Sequence, residues 1–129
     1  MADTITQTAI LKFHDDDAGD SGAKTIKKYT HDWDTVADYG FIHCIQKLGL
    51  DEETLTLGAD LSAPVNVLAL IINNDATGAV EVGVATGVYP IVIGPKLFFF
   101  GTLQLADSIY VLSDTDGVQL EYFIAFPNT

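Results

Sequence analysis

Residues 117–126 read GVQLEYFIAF. Val118, Leu120, Tyr122, Ile124 and Phe126 occupy every second position, and Gln119 and Glu121 fall between them. That is the period of a β-strand with one buried face, not of a helix. Working outward, SIYVLSDTDGVQL (108–120) offers a second apolar run with Asp116-Gly117 as a hairpin turn between the two. Further upstream Val80, Val82 and Val84 alternate with Ala79, Glu81 and Gly83. NVLALIINNDATGAVEVGV (66–84) thus reads as two strands joined through the polar turn at 73–78. GVYPIVIGPKLFFFGTL (87–103) repeats the pattern around Gly94-Pro95-Lys96, and Pro90 marks its run as an edge strand or a bulge.

The first half is less regular. Residues 4–13 alternate loosely, with Ile5, Ala9, Leu11 and Phe13 expected on the buried side, and 24–30 and 40–48 each suit a strand. A helix over 34–48 would start well on Asp34 as N-cap, but Gly40 and the β-branched and aromatic residues after it favour strand. A single helical turn fits 34–39 or 51–54. Val, Ile and Thr number 34 among the 129 residues, an enrichment that belongs to sheets. These runs predict an all-β fold: a single-domain two-sheet β-sandwich or jelly roll of eight or nine short antiparallel strands. Residues 1–48 form its acidic, loop-rich part and 49–129 its core-forming strands.

Charge narrows the partners. The net charge is −12, from 18 acidic residues and 6 basic ones, and every basic residue is lysine. Nucleic acid and anionic membranes reward basic patches and arginine forks, so neither is an expected partner. The longest uninterrupted apolar stretch is the six-residue VLALII (67–72), far short of a membrane span. MADTITQTAILKF at the start lacks the basic region and apolar block of a signal peptide. The expectation is therefore a protein made in the cytoplasm.

No catalytic motif stands out. There is no G-x-S-x-G, H-E-x-x-H, Walker loop or G-x-G-x-x-G, and Ser21, Ser62, Ser108 and Ser113 lack a partnering motif. The chain is read as a non-enzyme without a cofactor. Asp15, Asp16, Asp17 and Asp20 crowd one Gly-containing loop, the ligand type that Ca²⁺ takes, but EF-hand spacing is absent. A solvated, self-repelling loop is the preferred reading, with a Ca²⁺ site as the alternative. SDTDG (113–117) resembles half a calcium loop and also makes an ordinary turn. His14, His31 and His43 fit no standard metal spacing, and on a strand His43 lies opposite Ile42 and Cys44. Cys44, the only cysteine, sits in an apolar run as a small buried hydrophobe.

Aromatic residues suggest surfaces instead. Trp33, with Tyr29 and Tyr39 nearby and flanked by Asp32, Asp34 and Asp38, suits either a carbohydrate platform or a contact with a neighbouring subunit. Phe98, Phe99 and Phe100 in succession cannot share one face of a strand. Either both faces are covered or aromatic surface is exposed, and exposed apolar surface on an acidic small protein marks a protein interface. Phe123, on the outer face of the last strand, adds to that surface.

The order of motifs GLDEETLTLGADL, LALIINNDATGAVEVGVATGVYPIVIGP and LADSIYVLSDTDGVQLEYFIA resembles small structural virion proteins of tailed bacteriophages, over about residues 49–126. Gly94-Pro95-Lys96 departs slightly from the pattern at its Pro-Gly turn. The resemblance implies an accessory virion protein. A capsid decoration or cement protein is preferred, bound to other virion proteins such as the major capsid protein and self-associating, as a trimer by analogy. A tail, neck or fibre component and a carbohydrate-binding receptor module are the alternatives.

Overall fold

The computed structural model describes residues 4–14, 23–34, 41–57 and 65–126. Its ten strands are β1 (Thr4–His14), β2 (Ala23–Asp34), β3 (Phe41–Lys47), β4 (Glu53–Thr54), β5 (Val65–Asn73), β6 (Val80–Gly83), β7 (Ile91–Ile93), β8 (Phe98–Leu105), β9 (Tyr110–Ser113) and β10 (Gln119–Ala125). No helix occurs among the described residues, so none there is long and apolar enough to cross a membrane. At 51–54 the expected helical turn gives way to the two-residue β4, which pairs Glu53 with Val111 and Thr54 with Tyr110.

Eight strands form two antiparallel four-stranded sheets, ordered β3-β10-β5-β8 and β4-β9-β6-β7. From β3 onward each strand joins the sheet opposite its predecessor, except that β7 stays beside β6. This alternation is that of a jelly roll, in which two sheets close on one core. The sandwich is thus the expected all-β fold, and β1 and β2 stand apart from it as a two-stranded ribbon.

The alternation read in the sequence explains the core. β10 turns Leu120, Tyr122 and Ile124 inward, β5 turns Val67, Ala69 and Ile71 inward, and all six are buried. Val80 and Val82 of β6, Ile93 of β7 and Val111 of β9 meet them from the opposite sheet. The expected hairpin at Asp116-Gly117 does not form. Gly117 makes the turn with φ 88°, but β9 and β10 belong to different sheets, so the chain crosses the core there. Val111 before the turn and Leu120 after it are both fully buried, and a crossing lets them meet the same core from opposite sides. The turns at 73–78 and around Pro95 make the same kind of crossing.

Polar ties hold the turns. Asn73 is fully buried. Its Nδ2 donates to the carbonyls of Gly78 at 2.8 Å, Ile93 at 3.0 Å and Gly94 at 3.2 Å, and its Oδ1 accepts from the Asp75 N–H. One side chain thereby joins the β5–β6 crossing to the β7–β8 crossing. Asp75 accepts the N–H groups of Gly78 and Thr77, in that order of effect, and these hold its carboxyl below the usual range. Asp114 Oδ1 accepts from the Ala79 N–H at 2.9 Å, so SDTDG behaves as a turn. Gly83 is where the chain beside β6 approaches most closely. A Cβ there would lie 1.8 Å from the Val88 carbonyl oxygen, so a side chain would force the backbone apart.

Candidate interaction surface

The outer face of the β3-β10-β5-β8 sheet follows from strand register. Directly opposed residues share a face. One row across the sheet is therefore His43, Phe123, Leu70 and Phe100, and the next is Ile45, Glu121, Ile72 and Phe98. Six of these eight are large and apolar. Phe98 is 66% exposed, Ile45 58% and Phe100 36%, with Leu70, Ile72 and Phe123 half-buried. A single exposed leucine would mean nothing on a protein surface, whereas a contiguous apolar band is the mark of a contact surface.

The three successive phenylalanines are sorted by the pleat. Phe99 faces inward and packs against the core, while Phe98 and Phe100 project outward. The polar members of the band are paired. His43 Nε2 lies 2.8 Å from Glu121 Oε2, and the His43 ring stacks on Phe123. Lys47, at the end of β3, also lies at the sheet's periphery.

The ribbon borders this face. Thr8, Ala9 and Ile10 of β1, with Leu70, Ile72, Phe98 and Phe100, line an open groove of about 640 Å³. Ala9 is exposed, against its expected place on a buried side, and Ile10 is exposed as well. β1 and β2 pair from Thr4↔Asp34 to His14↔Ala23, with a bulge at Leu11/Lys12, and they pack on each other far more than on either sheet. A ribbon of two strands is marginal without cover on one face, so the groove is an incompletely filled contact. β1 and β2 carry Lys12, Lys24, Lys27 and Lys28 against Asp32 and Asp34, while residues 41–126 carry ten acids against Lys47 and Lys96. The ribbon is thus net basic within an acidic chain.

The remaining candidates separate. Trp33 falls on β2, paired with Ile5, and its side chain lies outside the described residues. Asp15, Asp16, Asp17 and Asp20 also lie outside them. Among the described residues no group of three or more His, Cys, Asp or Glu side chains is placed to hold a metal ion. Cys44 is half-buried and packs against the core on the face opposite His43.

Two contacts escaped sequence reasoning because they join distant segments. Tyr122 Oη accepts from the Thr56 N–H at 2.9 Å and lies within donating distance of Gln46 Oε1 (3.0 Å) and Thr56 O (3.1 Å). Burial first, then a hydrogen bond with the Cys44 thiol, pushes that hydroxyl up to about 12. Glu52, before β4, accepts from the Thr86 hydroxyl, the Gly87 N–H and the Tyr89 hydroxyl of the β6–β7 loop. The Thr86 bond leads in holding its carboxyl below the usual range, and the same clasp raises Tyr89. Every buried side-chain N or O among the described residues has a hydrogen-bond partner.

No family model matches the chain, and no curated protein is similar to it. Among solved structures, a chain from Bacillus endospore appendages, described as a family of disulfide-linked pili, is similar with a TM-score of 0.52 and 15% identity, over 69% of this chain and 86% of that one. At that identity the likeness is one of fold.

Proposed function

We propose that the chain is a non-enzymatic structural protein of a bacteriophage virion, a capsid decoration or cement protein. It binds other virion proteins, such as the major capsid protein, through the outer face of the β3-β10-β5-β8 sheet. The observation that carries this reading is the apolar band of Ile45, Phe98 and Phe100 beside Leu70, Ile72 and Phe123. The sequence resemblance over residues 49–126 supplies the virion context. A small sandwich with an acidic surface suits the role, because like charge keeps free copies apart at high concentration before assembly.

A tail, neck or fibre component is the second reading, favoured by the fold shared with a chain from a pilus. Quantitative mass spectrometry of purified particles separates the two. Hundreds of copies per particle are expected of a decoration protein, and a small multiple of three, five, six or twelve of a neck, tail or fibre part. Absence from the particle would overturn the virion reading and bring forward a carbohydrate-binding module built around Trp33. Within the particle, Phe98→Ser is expected to leave a folded domain that no longer binds. Unchanged occupancy of the variant would remove this face from the contact.

A further inference from the structure

A sheet edge is a row of unpaired backbone donors and acceptors, and natural edges are blunted by shortness, charge, proline or bulges. Three of the four edges in this sandwich are blunted. β4 is two residues long; β7 is three, flanked by Pro90 and Pro95. β3 carries His43 and ends on Lys47, and its Gln46 is tied to Thr54 and Thr56 of the neighbouring segment. β8 differs on every count. It runs eight residues, Phe98–Leu105, and pairs with β5 along its whole length. Among the described residues no strand pairs with its other side. From Leu97 to Ala106 the sequence LFFFGTLQLA holds ten residues without a charge or a proline, in a chain with 24 charged residues.

We infer that β8 is a self-pairing edge: two copies of this chain join antiparallel, β8 to β8, and fuse their β3-β10-β5-β8 sheets into one sheet of eight strands. The occupant follows from charge and symmetry. Two chains of net charge −12 repel wherever acids face each other, and β8 is a long uncharged line along which they can meet. A basic partner would find its attraction elsewhere on the molecule. A strand pairing with its own copy about a two-fold axis is self-complementary and closes at two. It also brings the two apolar bands side by side, since Phe98 and Phe100 sit at the rim of each. The contact is two-fold, not the three-fold one that the decoration analogy suggests.

Sedimentation of the full chain tests this. The wild type is expected to form a dimer, strengthened several-fold between low and high salt as repulsion between like-charged copies is screened. Thr102 and Gln104 are exposed, outward-facing positions of β8. Thr102→Lys with Gln104→Lys is expected to give a monomer, and Thr102→Val with Gln104→Val a tighter dimer. Should the lysine variant fail to fold, amide exchange of the wild type decides. Protection along β8 rising with protein concentration supports the pairing, and concentration-independent protection overturns it. A wild type monomeric throughout, or a lysine variant that still dimerises, also overturns it. Dimerisation that weakens with salt would instead mark the basic ribbon docking on the acidic sandwich of another copy. None of these results bears on particle binding by the apolar band, so either reading can fail alone.

Discussion

The imidazole of His43 lies flat on the ring of Phe123, with centroids 4.2 Å apart and planes inclined by 4°. The two residues are directly opposed on β3 and β10. The carboxylate that holds the imidazole, Glu121, stands two residues before Phe123 on the same strand and the same face. A partly exposed aromatic ring is thus roofed by a polar one fixed in place by a carboxylate.

Removing the roof should be mild for the fold. His43→Ala is expected to cost about 0.5–1 kcal/mol, the usual worth of a cross-strand pair with an aromatic member. Urea denaturation of wild type and variant measures it. A loss above about 2 kcal/mol would mean that the stack supports more than one face of one sheet.

Asn73 should matter far more. Asn73→Ala leaves the carbonyls of Gly78, Ile93 and Gly94 without its amide and the Asp75 N–H without its oxygen. Each buried group so stranded costs about 1–3 kcal/mol, so a total of about 3 kcal/mol or more is expected. The denaturation midpoint should fall with little change in slope.

Tyr122 gives an alkaline signature. Its folded pKa, about 12, exceeds the unfolded value near 10. The contribution of its hydroxyl is therefore complete below about pH 10 and is lost as pH rises toward about 12. Tyr122→Phe should be less stable than wild type at neutral pH by about 1–2 kcal/mol, from the lost hydrogen bonds to Thr56 and Gln46. It should then lose less on going from pH 10 to 12, as thermal melts across that range would record.

Glu52 gives the acid counterpart. Its folded pKa is lowered, so its clasp on Thr86, Gly87 and Tyr89 contributes above the ordinary carboxylate value. The contribution disappears as pH falls through the folded value. Glu52→Gln should lower the melting temperature at pH 7 and flatten its fall between about pH 5 and 3. Asp75, lowered by its own turn, should keep part of that fall in place.

The strands of the second half were legible because each carries a dry inner face with period two. Val118 to Phe126 and Val80 to Val82 lie as their alternation requires. That Phe98, Phe99 and Phe100 must divide between two faces was legible too, but which of them lies exposed was not. Which sheet each strand joins was not. Asp116-Gly117 fits a hairpin and a crossing equally well, and burial on both sides, not turn chemistry, decides between them. β4 is too short for any periodic signal. The Glu52 clasp reaches across 34 residues or more and the Tyr122 contact across 66, and neither leaves a local trace. The groove beside β1 depends on how a ribbon meets a sheet 60 residues further along the chain, which no window of sequence contains.

The place of β10 bears on how the protein is made. It lies between β3 and β5, the last of the described strands inserted inside its sheet. Until residues 119–125 leave the ribosome, β3 has no neighbour in that sheet, and the core lacks Leu120, Tyr122 and Ile124. Of the sandwich's connections, only the one between β6 and β7 joins strands paired with each other. Such high contact order means slow folding that waits for β10 to be made. A product truncated before Gln119 would be unable to close the sheet at all. Chains that stop short of Gln119 would therefore stay unfolded and open to proteolysis.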